Sequence, residues 1–409
     1  MELCGFIMTS PIIKTFIDLS SGLEWNSATE QEVTQWVAQI GVRRGRQRLV
    51  NEFEAGTATV ALFDDGSLPN IPTDYIQTGK IKIYATWTIN SITQTYPIFY
   101  GFITSSESQF NQANDEISRL VFNCVDAFRL LNNAVITTVS GASAQLSGTR
   151  VNKILDQVGF PAAPRSIDAG QTTCQADPGT QRSALEAIRT VEKTEAGGFF
   201  IDRSGNAKFI DRDSLYNKLY QADEYITPRF VDFNDVGVIS LYQIIQYQNA
   251  VVKADDDVVY NDITVQRLGG VAQNKQDATS ISNYFKRSAS RTDVLMQTDA
   301  EASDLASSLL QTLKDAETRI DQVTVDVSDA PSKRLTLCFA RELLDVVYAR
   351  KVMPDGSILL VERAMIQGIQ LNLTPDRKTI TFFIAEPLLK GLILNDEVFG
   401  QLDYNYLGY

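Results

Sequence analysis

The stretch GVRRGRQRLVNEFEAGTATVALFDDG, residues 41–66, holds four arginines within six residues, Arg43, Arg44, Arg46 and Arg48. Consecutive side chains of a strand point to opposite faces, so an extended chain places Arg44, Arg46 and Arg48 on one face and Arg43 on the other. The segment TATVALF, which follows a glycine, alternates small polar and apolar residues in the same way. The stretch therefore predicts two neighbouring strands, the first with a basic face.

The arginine cluster stands in an acidic chain, with 50 aspartates and glutamates against 37 lysines and arginines and a formal net charge of −13. Affinity for duplex DNA depends mainly on neutralising phosphates, so this balance argues against general DNA binding. The next aromatic residue that could stack on a base is Phe53, outside the cluster. Because arginines suit ion pairs with a neighbouring chain, we predict that Arg44, Arg46 and Arg48 lie at a subunit interface.

Length and composition indicate a folded protein of more than one domain. The chain has 409 residues, 44% of them hydrophobic and 21% charged, so we expect roughly two or three ordinary globular domains. The start MELCGFIM lacks the basic and apolar regions of a signal peptide. No apolar run approaches the length of a membrane span, and we expect a protein that folds in the cytoplasm without membrane insertion.

The sequence contains no histidine, which removes the commonest general base and metal ligand. Ser-His-Asp and Cys-His catalysis are therefore excluded. The four cysteines, Cys4, Cys124, Cys174 and Cys338, lie too far apart for a zinc or redox motif. We interpret them as buried thiols of a protein made in a reducing compartment.

Two acidic runs and two glutamate pairs are the remaining candidates for a metal site or an active site. The runs are residues 64–66 and 255–257, and the pairs are Glu192 with Glu195 and Glu107 with Glu116. The runs lack the ligand spacing of a calcium loop and are typical of turns. The pairs could supply the two carboxylates of a glycosidase, but an acidic chain contains many such pairs on solvated faces. We predict no catalytic, cofactor-binding or metal-binding residue.

Alternating strands dominate the first part of the chain. In IKIYATWTI, residues 81–89, apolar residues occupy one face and polar residues the other, which is the period of a half-buried strand. YPIFYGFIT (96–104) is predicted to be its hairpin partner, and ISRLVFNCV (117–125) a further strand. Antiparallel strands separated by turn signals favour a barrel or a sandwich.

Helices appear from about residue 151. The patterns VNKILDQVGFP and QRSALEAIRTVEKTEAGG predict amphipathic helices, the second ended by Gly197-Gly198, and residues 198–212 predict a hairpin. Strands then resume and enclose one strong helix over 298–316. Thr298 and Glu301 have the spacing of a capping box at its start.

These patterns predict a mainly β (α+β) fold: two β-barrel domains, with a small inserted α+β domain and a helix in the second barrel. The predicted boundaries are an N-terminal extension 1–29, a first barrel 30–150, an insert 151–232, a second barrel 233–390 containing helix 298–316, and a C-terminal tail 391–409.

Several segments, in this order, resemble phage tail hub proteins, the minor tail or baseplate hub proteins of long-tailed phages. AGTATVALFDDGSLPN and TGKIKIYATW…YPIFYGFIT resemble strands of that family's first barrel. ALEAIRTVEKTEAGGFFIDRSGNAKFIDR is similar to the inserted domain, and ELLDVVYAR with MIQGIQLNLTPDRKTITFFIA to the last strands of the second barrel. SISNYFKR departs from the family by lacking the glycine often found after the tyrosine. The resemblance covers roughly residues 30–390.

The resemblance implies a homotrimer at the virion tail tip, in which two barrels per chain form a pseudo-sixfold ring. Such a ring joins the distal tail protein and the tail tube protein, encloses the end of the tape measure protein, and carries tail fibre or tip proteins. Genomic DNA passes through the lumen on ejection without specific binding, and an acidic wall suits that passage. The resemblance implies no catalytic residue and no cofactor.

Two other functions fit the same chain. A hub with cell-wall hydrolase activity would present two carboxylates about 5–9 Å apart in an open cleft, one of them with a raised pKa. A distal tail or receptor-binding protein that recognises host glycans would expose aromatic residues in a groove. Because no catalytic constellation is visible, the prediction is a structural, non-enzymatic tail hub.

Overall fold

The structure is a computed structural model, and it describes residues 8–20, 22–47, 52–63, 67, 79–110, 117–139, 144–222, 226–232, 243–254, 256–316 and 318–385. Strands form the largest share of these residues, which confirms the predicted mainly β class. Helices lie between residues 128 and 220 and again, between strands, from residue 278 to 339.

The first part of the chain is an antiparallel sheet, apart from its first strand, which pairs with residues 330–331. Its elements are β1 Met8–Thr9, β2 Ile12–Asp18, β3 Glu30–Glu32, a 3-10 turn Thr34–Trp36, β4 Val37–Gly45, β5 Glu54–Phe63, β6 Lys80–Ile89, β7 Ile92–Phe110 and β8 Ile117–Val125. The alternation predicted for β6 is confirmed, since Ile81, Ile83, Ala85 and Trp87 are buried. Strand β2 pairs with β6 along its whole length, so these residues of the predicted N-terminal extension belong to the sheet.

The middle of the chain is a small unit of short strands and helices, and the predicted bounds of an inserted domain, 151–232, remain a prediction. Its elements are α1 Phe128–Asn133, β9 Val135–Ile136, β10 Gln145–Leu146, α2 Ser147–Gln157, β11 Arg165–Ile167, β12 Thr173–Cys174, β13 Arg182–Ser183, α3 Ala184–Glu195, β14 Gly198–Ile201, β15 Ala207–Ile210 and α4 Arg212–Tyr220. The predicted hairpin is confirmed as β14 with β15. Helix α3 ends on Ala196, which adopts the left-handed conformation at φ 57°, rather than on the expected glycine pair. We call this unit the insert.

The last part returns to strands. Its elements are β16 Arg229–Asp232, β17 Ile244–Tyr247, β18 Asn249–Ala254, β19 Asp262–Arg267, β20 Gln273–Gln276, α5 Ala278–Tyr284, β21 Ser288–Val294, α6 Asp299–Leu313, β22 Thr318–Asp326, β23 Ala330–Pro331, α7 Ser332–Phe339, β24 Val346–Val352, β25 Ile358–Leu373 and β26 Lys378–Ala385. Helix α6 begins with the predicted capping box of Thr298 and Glu301. It covers the separate sheet β20-β19-β21, and we call β19 to α6 the lobe.

The large sheet has 14 strands in the described residues and runs through both the first and the last part of the chain. The link is β25, whose Gly368–Leu373 pairs with β4 on one side and with β26 on the other. The described residues form this large sheet and several small ones, and the two closed barrels of the prediction are not seen among them. The prediction missed the link because nothing in the local alternation of β4 or β25 specifies a partner more than 300 residues away.

Candidate functional site: a charged junction between the parts of the chain

Three parts of the chain meet around one ion pair, between Arg44 of β4 and Glu342 in the loop before β24. Arg44 donates two hydrogen bonds to this carboxylate, from Nη1 to Oε2 at 3.2 Å and from Nη2 to Oε1 at 2.6 Å. The Arg44 side chain is 4% exposed and that of Glu342 13%. Because a bidentate pair has a defined geometry, it fixes how the first and last parts of the chain meet.

Glu342 also holds the insert. Its carboxylate accepts hydrogen bonds from the backbone N–H of Arg203, in the turn between β14 and β15, at 3.1 Å, and from the N–H of Leu343 at 2.8 Å. Burial alone would raise the pKa of Glu342, but the charge and hydrogen bonds of Arg44, together with these N–H groups, hold the pKa below its usual value. The carboxylate therefore stays ionised and ties β4 and the insert to the last part.

Arg46, directly after β4, forms a second contact of this part of the chain. Its Nε donates to Oε1 of Gln367 on β25 at 2.8 Å, and its guanidinium carbon lies 4.4 Å from the centre of the Phe53 ring, within cation–π range. Burial lowers the pKa of Arg46 to about 10, while the charge of Glu192 acts in the opposite direction. Arg46 therefore stays cationic at neutral pH.

Helix α3 brings a buried carboxylate to the same junction. Glu192 is 8% exposed and accepts a hydrogen bond from the N–H of Phe199 at 3.1 Å. Burial raises its pKa, against the effect of this N–H and of three positive charges from three elements, Arg46, Arg189 and Arg291. The junction thus combines arginines from β4, the insert and the lobe with carboxylates from the insert and the last part.

Asp126, directly after β8, lies close to both Arg44 and Gly56. Its Oδ2 accepts the N–H of Gly56 at 2.6 Å and its Oδ1 the N–H of Phe128 at 2.9 Å. A Cβ on Gly56 would lie 2.6 Å from Oδ2 of Asp126 and 3.2 Å from Cγ of Arg44, so glycine is needed at this close approach. Burial raises the pKa of Asp126 to about 7, although both N–H groups and Arg44 favour the ionised form.

Asp126 should make the stability of the fold depend on pH. Its pKa is about 7 in the folded chain against an ordinary value of 3.8, so the folded state keeps a proton that the unfolded chain releases. The stabilisation is complete below about pH 4 and is lost as the pH rises through 7. Relative to Asp126→Asn, an isostere of the protonated acid, the wild type should lose about 2 kcal/mol between pH 5.5 and 8.

Urea unfolding of both proteins at pH steps across this window measures the effect. Asp304→Asn, at an exposed carboxylate of α6, is the matched control and should unfold like the wild type at each pH. A difference between wild type and Asp126→Asn that stays constant over the window would contradict the raised pKa.

The structure brings together two of the three arginines predicted for an interface. Arg44 and Arg46 both make their described contacts within the chain, and Arg48 lies outside the described residues. Arg43 points to the other face, as predicted, and pairs at 3.2 Å with Glu54, whose side chain is 56% exposed. A role of Arg44, Arg46 and Arg48 in a subunit contact remains a prediction.

Sequence reasoning missed Glu342 and Arg203, the partners that give the junction its shape. Glu342 follows Arg341 after helix α7, and Arg203 lies in a turn, where charged residues are ordinary. Only their proximity to Arg44 in the fold marks them, and the sequence does not show that proximity.

The cavity beside Arg44 measures about 20 Å³ and is lined also by Arg203 and Phe339. A cavity of this size has room for a water molecule but not for a substrate.

The other candidate carboxylates differ in burial where the structure describes them, and Glu107 is exposed. Glu195 is fully buried and accepts hydrogen bonds from Ser147 Oγ at 2.7 Å and from the N–H of Thr172 at 2.8 Å, so it is not the solvated residue that the sequence predicts. Glu116 and residues 64–66 lie outside the described residues. Within the described ranges no three Asp, Glu or Cys side chains gather as a metal site.

The cysteine prediction is confirmed for three positions, since Cys124, Cys174 and Cys338 are free and buried, while Cys4 lies outside the described residues. Burial raises the pKa of the Cys338 thiol to about 12, which keeps it unreactive. None of the helices in the described part of the chain is long and apolar enough to span a membrane.

Comparison with known proteins shows a shared fold without shared sequence. Neither a protein-family model nor a curated protein matches the sequence. The structure resembles a tail protein from Neisseria meningitidis, with a TM-score of 0.58, 10% identity, and coverage of 92% of this chain and 97% of that one. It also resembles the 43 kDa tail protein of prophage MuSo2 from Shewanella oneidensis, with a TM-score of 0.56, 11% identity, and coverage of 91% and 98%.

A third similar structure comes from the Francisella PdpA-VgrG complex, with a TM-score of 0.51, 9% identity, and coverage of 93% of this chain but 58% of that one. The likeness to the two tail proteins extends over more than nine tenths of each chain. The chain therefore has the fold of these tail proteins.

Proposed function

We propose that this chain is a structural protein of a phage tail and forms a trimeric hub at the tail tip. The observation that carries the proposal is the likeness to two tail proteins over more than nine tenths of each chain. The ordered sequence segments that resemble tail hub proteins support the same function. A fold alone does not determine function, so the proposal rests on these two observations together.

In this proposal the first and last parts of the large sheet act as two barrel-like halves of one subunit. Three subunits then supply six such halves, which match the sixfold tail tube. The distal tail protein, the tail tube protein, the end of the tape measure protein and tail fibre or tip proteins are the proposed neighbours.

The net charge of −13 supports the proposed passage of DNA. An acidic lumen repels phosphates and releases no counterions, so DNA slides through the ring without binding. No residue of the chain is proposed to recognise a base.

The junction around Arg44 and Glu342 supports a load-carrying role for the subunit. Its ion pairs join β4, the insert and the loop before β24, and a hub must hold such parts in one arrangement while force passes through the tail. In the proposal, Arg44, Arg46 and Arg48 set the shape of this region beside a subunit contact. Catalysis has no part in the proposed function.

The solution mass of the purified chain tests the proposal. We expect a particle of about three times the chain mass of 45.4 kDa in light scattering or native mass spectrometry. A stable monomer at all accessible concentrations would contradict the trimer. A cell-wall zymogram that cleared the substrate would instead favour the hydrolase alternative.

A further inference from the structure

Phe285, at the end of helix α5 in the lobe, combines two unfavourable features. Its side chain is 86% exposed, and its backbone has φ 60° and ψ 171°. That backbone region is accessible to glycine and strained for every other residue. A lone exposed phenylalanine is ordinary on a protein surface, but a strained one persists only where the surrounding structure holds it in place.

The fold imposes this conformation through a buried side chain. Asn261, which is fully buried, donates from Nδ2 to the carbonyl of Phe285 at 2.8 Å and to Oγ of Ser280 at 3.1 Å. Its Oδ1 accepts the N–H of Arg287 at 2.8 Å. The backbone from the Phe285 carbonyl to the Arg287 N–H is therefore anchored, and the Phe285 ring is held at the surface of the lobe.

The folded chain gains nothing from this ring. Phe285 belongs to none of the three apolar cores of the described residues, and a glycine would remove both the strain and the exposed apolar surface. Strained residues that persist are typical of binding and switch sites, and exposed aromatic residues are typical anchors of protein interfaces. The ring therefore fits a contact with another molecule.

The charges around Phe285 favour a second copy of this chain as that molecule. The next residue is Lys286, whose side chain is 55% exposed, whereas its partner Asp262 at 3.1 Å is 7% exposed. A molecule that covers Phe285 thus meets the ammonium group before the carboxylate, and an acidic surface complements it. The chain itself carries a net charge of −13, so another copy provides such a surface.

We infer that Phe285, flanked by Lys286, is an anchor of the contact between copies of this chain. The inference rests on the proposed trimer and names the residue that helps to close it. A cyclic trimer is built from heterologous contacts, in which one patch of each subunit meets a different patch of the next. A protruding ring on the lobe of one subunit that meets a different surface of the next subunit fits that geometry.

The variant Phe285→Gly tests the inference, because it should separate folding from assembly. Glycine accepts the backbone conformation, so unfolding of the monomer, measured at a dilution where the wild type is also monomeric, should occur at the wild-type temperature or above it. Assembly should weaken by about 30-fold or more, the effect of losing a strong interface anchor. Sedimentation over a concentration series measures the association constant.

The matched control is Phe63→Ala, at a phenylalanine that is 59% exposed in an ordinary strand, and it should assemble like the wild type. Phe285→Gly that trimerises with wild-type affinity would overturn the inference while leaving the trimer intact. A monomeric wild type would overturn the proposed trimer itself. A Phe285→Gly monomer that unfolds at a lower temperature than the wild-type monomer would also overturn the inference, since the ring would then stabilise its own chain.

Discussion

Replacing Glu342 with alanine should lower the free energy of unfolding by about 3–5 kcal/mol, because a buried charge loses its partner. Arg44 would remain 4% exposed, where it now donates two hydrogen bonds to the lost carboxylate. The backbone N–H of Arg203 would lose its acceptor as well. Both consequences arise where the insert, β4 and the last part meet, so the loss should loosen the attachment of the insert.

Urea unfolding of the monomer gives the size of the effect, and limited proteolysis near residues 203–206 reports on the insert hairpin. The matched control is Glu54→Ala, which removes the exposed partner of Arg43 and should cost at most about 1 kcal/mol, as surface ion pairs do. Equal stability of the two variants would mean that the Glu342 pair contributes no more than a surface pair.

The substitution Gly45→Ala should lower the free energy of unfolding at least as much, because it disrupts the pairing of β4 with β25 that joins the two parts of the large sheet. Gly45 has φ +89°, and a Cβ there would lie 2.3 Å from the carbonyl oxygen of Gln367 and 2.8 Å from Cα of Gly368. These atoms belong to the backbone of β25 and cannot move aside without breaking the pairing of Gly45 with Gly368. We expect a loss of more than about 4 kcal/mol.

Gly41→Ala on the same strand is the matched control. A Cβ at Gly41 meets only Oδ1 of Asn372, at 4.0 Å, so this variant should fold with a small change in stability. Soluble yield and hydrogen exchange of the β4 amides measure both variants. Wild-type exchange protection in Gly45→Ala would contradict the pairing of β4 with β25.

Much of the local structure was predictable because it depends on neighbours in the sequence. The period of two predicted a strand over 81–89, and β6 spans residues 80–89. The strand predicted over 117–125 is β8, which has these bounds. The capping box predicted the start of α6 at Thr298. Such signals rest on hydrogen bonds and burial within a few residues, which the sequence displays directly.

The arrangement of these elements was not predictable in the same way. The contact of Arg44 with Glu342 joins residues 298 positions apart, and either residue alone reads as an ordinary surface charge. The pairing of β4 with β25 likewise depends on register between distant strands, so separate barrels were predicted where one large sheet joins the first and last parts of the described chain. The arginine cluster is evident in the sequence because it is dense, but its partners Glu342 and Gln367 are identified only in the folded structure.

The copy number of this chain at the tail tip tests the central claim most directly. Imaging of tails, with an antibody fragment against the chain to mark each copy, counts the subunits and gives their symmetry. The proposed hub predicts three copies arranged around the tail axis at the tip. A different number of copies, a position along the tube, or absence from the tail would contradict it.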